Sequence, residues 1–163
     1  MNNYCFRRLR YALQLNDKAM LTIFLALNFE LSVTELQSYL LKEDDSKFVP
    51  IPDYILIIFL DALIQSKRGK REDFEELSQS KRVALSKKYK LSNNMILNKI
   101  KIACSFKTDD LIELLALADF RISKSEVTAF FRKPDHRNYR ECGNQLLRNF
   151  LTGLTLKYHS KET

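Results

Sequence analysis

A chain of 163 residues, 45% apolar and 29% charged, has the size of one domain or two small ones and enough apolar mass for a packed core. Three glycines and three prolines are too few for the many tight turns of an all-β fold, and the dominant Leu, Lys, Ile and Ala suit helices. The net charge of +7 points toward phosphate-bearing partners, while the longest apolar run, residues 55–60, falls far short of the ~20 residues of a membrane helix.

The first element opens at Asn2-Asn3, read as an N-cap, and carries its apolar stripe on Phe6, Leu9 and Leu13. Arg7, Arg8 and Arg10 break any signal-peptide core, so a cytoplasmic protein without a membrane partner is expected. The second helix starts near Asn16-Asp17 and places Met20, Ile23, Phe24 and Leu27 at helical spacing. The third begins at a capping box, Ser32-x-x-Glu35, in which hydroxyl and carboxylate satisfy each other's backbone amides. Leu36, Tyr39 and Leu40 form its buried stripe. A polar loop leads to a fourth helix with a wide apolar face on Ile55, Leu56, Phe59, Leu60 and Leu63.

Shifted by 91 positions, residues 2–68 align with 93–159 without a gap. Asn2-Asn3 meets Asn93-Asn94, Ser32 and Glu35 meet Ser123 and Glu126, and Leu56, Phe59, Leu60 and Leu63 meet Leu147, Phe150, Leu151 and Leu154. The expected fold is therefore all-α. It comprises two tandem homologous four-helix units related by pseudo-symmetry, residues 1–66 and 93–163, joined by a basic linker at 67–92. That linker holds nine basic and four acidic residues, +5, with a helical patch expected around residues 73–85. One difference between the copies stands out: Ile57 and Ile58 face Arg148 and Asn149 in the alignment. The fourth helix of the first copy is thus apolar nearly all round, and the other copy or a second chain is expected to cover the extra face.

The most chemically varied stretch is "RKPDHRNYRECGNQ", residues 132–145. Its partner in the first copy is "LKEDDSKFVPIPDY", residues 41–54. His136 replaces Asp45, and Cys142 replaces Ile51. What both copies share is Lys-x-Asp and a following aromatic: Lys42, Asp44 and Phe48 against Lys133, Asp135 and Tyr139. An aspartate starting a turn and an aromatic pinning the loop explain that motif. A Cys–His nucleophile pair needs contact and an orienting third group, and neither follows from this spacing. Arg132, Lys133, Arg137 and Arg140 with Tyr139 surround a helix start, where backbone amides attract anions. Lys87, Lys88 and Lys90 flank Tyr89 in the basic segment. These eight residues, Tyr139 included and Tyr89 not, are the candidate anion or nucleic-acid contacts.

Cys5, Cys104 and Cys142 form no disulfide framework or zinc motif, and no glycine-rich phosphate loop occurs. No metal or cofactor is expected. Three readings of function are open. The first is a binding or regulatory protein that contacts nucleic-acid phosphates. The second is a protein-interaction module or homodimer using the apolar surface at Ile57 and Ile58. The third is a cysteine-dependent enzyme at His136 and Cys142.

The segments "RYALQLND", "YLLKEDDSKF", "LIQSKRGK", "IKIACSFKTDDL" and "FFRKPDHRNYRECGNQLLRNFLTGL" resemble the YehS-like proteins, a bacterial family built from a duplicated domain of unknown function. The resemblance covers both copies and leaves out the linker. First copies in that family tend to carry Cys-Pro-Asp where this chain has Ile51-Pro52-Asp53, which speaks against a role requiring a cysteine in each copy. The resemblance implies a helical duplicated fold in a cytoplasmic bacterial protein, and no activity.

Overall fold

The duplication is visible in where the helices begin and end. A computed structural model describes residues 1–160; the last three residues of the expected second copy lie outside the described residues. All regular structure among the described residues is helical. The first copy gives α1 (Asn2–Ala12), α2 (Asp17–Leu25), α3 (Val33–Leu40) and α4 (Asp53–Arg68). After α5 (Gln79–Ser86) the second copy gives α6 (Asn93–Ala103), α7 (Thr108–Leu117), α8 (Lys124–Ala129) and α9 (Asn144–His159). The chain divides into two compact units, Met1–Leu91 and Ser92 onward.

The serine caps stand as expected. Ser32 and Ser123 hydroxyls accept from the Glu35 and Glu126 backbone amides at 3.0 and 3.2 Å. In the second unit the box is reciprocal, since Ser123 N–H donates to Glu126 Oε1. Asn16 caps α2 by accepting from Ala19 N–H at 2.8 Å. The paired asparagines, however, are not N-caps. Met1 and Ser92 hold the cap positions, and the asparagines are the first two helical residues. Their side chains point away from the helix's own amides toward the loop before the fourth helix, as described below.

In unit 1, α4 packs against α1, α2 and α5, and α3 packs on α1 and α2. The centre is aromatic: Phe6, Phe24 and Phe59 are fully buried, with ring centroids 5.0–6.4 Å apart. Such pairs each add about 0.5–1.5 kcal/mol beyond burial. In unit 2, α9 packs against α6 and α7, and α7 also against α8. Leu97 and Leu115 take the places of Phe6 and Phe24, while Phe150 repeats Phe59.

In unit 2 two helices approach each other closely. A Cβ at Gly153 on α9 would lie 1.9 Å from the Leu114 carbonyl oxygen of α7. Glycine inside a helix costs about 0.5–1 kcal/mol relative to alanine, so backbone contact is the reason for its presence. The corresponding residue in unit 1 is Ala62, also fully buried.

The turns after the first and second helices also repeat. Gln14 and Ser105 have φ of 55° and 57°, and Asn28 and Asp119 have 56° and 58°. Each lets the next residue donate back to the helix's last turn, as in Leu15 N–H to the Arg10 carbonyl and Phe106 N–H to the Lys101 carbonyl. None is glycine, so the tertiary fold sustains a backbone conformation costing roughly 1 kcal/mol or more per site.

Residues 67–92 do not stand apart as a linker. Gly69, at φ 81°, ends α4. The chain then returns along unit 1: Glu30 N–H donates to Gln79 Oε1, and Leu91 N–H donates to Asp53 Oδ2. Between those anchors α5 packs on α4. Tyr54, Ile57, Ile58 and Asp61 share one face of α4 by helical spacing, and the Lys87 ammonium just beyond α5 sits 4.7 Å from the Tyr54 ring centroid. Ile57 and Ile58 are 4% and 0% exposed, while Arg148 on α9 is exposed and Asn149 half-buried. The segment expected to connect the copies thus packs on the helix that distinguishes them.

Replacing Gly153 with alanine is expected to lower stability by about 1–3 kcal/mol, as overpacking does, measurable as a reduced denaturation midpoint. Unchanged stability would mean that α7 and α9 can part at no cost.

Candidate functional site

The loop before the fourth helix is built twice on one hydrogen-bond plan. In unit 1, Asn3 Nδ2 donates to the carbonyls of Tyr39 and Val49 at 3.1 and 2.9 Å, and its Oδ1 accepts from Ile51 N–H at 3.0 Å. In unit 2, Asn94 Nδ2 donates to Phe130 and Arg140 carbonyls at 3.0 and 2.8 Å, and its Oδ1 accepts from Cys142 N–H at 2.9 Å. Asn2 Nδ2 reaches the Ile51 carbonyl and Asp53 Oδ1, and Asn93 Nδ2 reaches the Cys142 carbonyl and Asn144 Oδ1. Buried backbone groups must find partners, and here one helix start supplies them. These four asparagines are the residues that the N-cap reading of the sequence missed; their identity in both copies was the available signal.

On this scaffold the repeated loop motif forms turns of the same kind in both copies. Two successive turns run through Lys42 and Asp45 in one unit and Lys133 and His136 in the other. The side chain that stabilises the second turn is Asp45, accepting from Lys47 N–H at 2.9 Å, rather than Asp44. His136 does the same with its imidazole: Nδ1 accepts from Asn138 N–H at 3.0 Å. Asp44 and Asp135 are exposed, and Phe48 and Tyr139 are half-buried. Cys142 is buried in the place of Ile51, and its thiol lies 3.6 Å from the Gly143 carbonyl. An exposed imidazole committed to a turn and a buried thiol directed at a carbonyl do not form a nucleophile and its base.

The cationic residues of this loop are partly engaged. Arg140 pairs with Glu126 at 2.9 Å and lies 5.7 Å from the Phe130 ring centroid. Hydrogen bonding from Ser123, then Arg140, holds the Glu126 carboxyl below its ordinary range. Arg132 reaches the Asn138 carbonyl at 3.5 Å. Lys133 and Arg137 are exposed. Tyr158 is half-buried on α9; burial first, then Cys104, holds its phenol above the ordinary value. Among the described residues no cluster of His, Cys, Asp or Glu could hold a metal ion.

The other candidate residues converge in unit 1. Lys87, Lys88 and Lys90 line an open cleft of about 380 Å³ with Asp53, Tyr54 and Tyr89. The turn ending α5 positions the three lysines: Lys87, Lys88 and Tyr89 N–H donate to Val83, Leu85 and Ser86 carbonyls. Tyr89 is 62% exposed. Asp53 has its two oxygens occupied by Asn2 and Leu91. Tyr54 and Asp53 come from α4, 33 or more residues from the lysines, so only the fold brings them to this site.

The arrangement defines a duplicated four-helix module whose candidate surface is cationic and aromatic. The chain belongs to a family described as "Protein of unknown function (DUF1456)", whose model matches residues 2–69 and 93–159. Those two segments are the two copies, and α5 lies outside both. The chain is 40% identical over 162 residues to the uncharacterized protein YehS of Escherichia coli strain K12, covering 99% of each protein. No solved structure matches.

Substituting first-copy residues into the second loop tests whether the two loops share one plan. His136→Asp is expected to leave the protein folded with stability changed by less than about 0.5 kcal/mol, and Cys142→Ile, which adds volume at a buried site, to leave it folded at a cost of no more than about 3 kcal/mol. A collapse of stability in either variant would show that the two loops are not built alike.

Proposed function

We propose that this chain is a non-enzymatic binding protein of the cytoplasm that contacts nucleic-acid phosphates. The observation that carries the reading is the cleft in unit 1, where Lys87, Lys88 and Lys90 surround two tyrosines. Three ammonium groups on one short turn concentrate positive charge where a phosphate backbone can displace their counterions. The exposed Lys133 and Arg137 on the second unit's loop offer additional phosphate contacts, with Arg132, Tyr139 and Arg140 around them. The reading agrees with the net charge of +7 and needs no catalytic group.

The competing reading, a protein partner or homodimer held at Ile57 and Ile58, loses the feature that prompted it, because both side chains are buried. Nor does the His136 and Cys142 geometry favour an enzyme.

Fluorescence anisotropy with labelled oligonucleotides tests the proposal. Three phosphate contacts predict that affinity falls by roughly ten- to fifty-fold between about 50 and 200 mM salt. The combined Lys87→Ala, Lys88→Ala and Lys90→Ala variant should bind more weakly and flatten that dependence by about one unit of log–log slope per lysine. No binding at low salt, or binding indifferent to salt and to the lysines, would defeat the proposal.

A further inference from the structure

We propose that the cleft of unit 1 takes single-stranded rather than duplex nucleic acid, with a base stacked on the ring of Tyr89. This deepens the reading above and rests on it. The two tyrosines of the cleft are not equivalent. Tyr54 is half-buried on α4, and the Lys87 ammonium sits 4.7 Å from its ring centroid, so that face already has a cation. Tyr89 is 62% exposed and lies in the turn after α5 between Lys88 and Lys90. A ring in that setting offers an uncovered π-face with a cation on each side along the chain. That is the pairing by which single strands are held: lysines follow the phosphates and the ring receives a base.

A duplex cannot use this ring. Its base faces are closed within the stack, and its sequence is read by a helix or ribbon inserted into a groove. The cleft instead presents a turn, in which Lys87, Lys88 and Tyr89 follow one another. Asp53 gives the cleft a direction. Its carboxylate stands on one wall, fixed by Asn2 and by Leu91 N–H, and repels phosphate from that side. The phosphates are left to the lysine side, where the exposed Tyr89 ring takes the neutral base.

The test uses the full chain at one low salt concentration with three labelled probes of equal length: oligo(dT), oligo(U) and a mixed-sequence duplex. Both single strands are expected to bind more tightly than the duplex, and the tighter of the two identifies DNA or RNA as the better ligand. Tyr89→Ala should weaken single-strand binding about five- to hundred-fold, the range of one lost base stack, and leave duplex binding within about two-fold. Tyr89→Phe should retain the single-strand affinity. The exposed position of Tyr89 makes both variants compatible with the native helix content, checked by circular dichroism. Salt-dependent binding that is as tight for the duplex, or that ignores Tyr89→Ala, overturns the stacking inference and leaves the phosphate reading standing. Absence of salt-dependent binding to all three probes overturns both.

Discussion

In each unit a single asparagine carboxamide, on the second residue of the first helix, gathers three backbone groups that lie 36 to 48 positions away along the chain. It joins the end of the third helix, the far side of the following loop and the entry to the fourth helix. Each such bond contributes about 1 kcal/mol net when made, and leaves a costly orphan when broken. The asparagine before it fixes the first residue of the fourth helix. With those two side chains in place, the long fourth helix has a defined starting point, and the apolar faces meet in register.

Upon that shared frame the copies have diverged in opposite ways. Unit 1 fills its centre with phenyl rings and keeps a second apolar face on α4. Unit 2 uses leucines, brings α9 to α7 through Gly153, and turns Arg148 outward. In unit 1 alone a further helix, α5, packs on α4 and ends in the turn that carries Lys87, Lys88, Tyr89 and Lys90 beside Tyr54. The candidate surface therefore joins Asp53 and Tyr54 of the first family segment, residues 2–69, to a turn that lies between the two segments.

Much of this was legible in the residues. The 91-position register predicted matching elements, and α4 and α9 indeed begin and end at corresponding positions. Ser-x-x-Glu marked both third helices because the capping chemistry is local. Three things were not legible, for distinct reasons. Asparagine at a helix start can cap its own amides or reach elsewhere, and only the fold decides which. Helix α5 buries Ser86 as its one buried residue, so it lacks the apolar stripe that separates a docked helix from a linker. The left-handed turn residues Gln14, Asn28, Ser105 and Asp119 are not glycines, so the usual mark of such a turn is missing. The cleft was half legible: the lysines stood out as a charge run, but Asp53 and Tyr54 reach it only through the packing of α5 on α4.

The most direct test of the frame is amide hydrogen exchange combined with denaturation of Asn3→Ala and Asn94→Ala. If the carboxamides close the loops, each variant loses about 2–4 kcal/mol, and the backbone amide of Ile51 or Cys142, whose acceptor has been removed, exchanges far faster than in the parent protein. A loss below about 0.5 kcal/mol with those amides still protected would contradict the account.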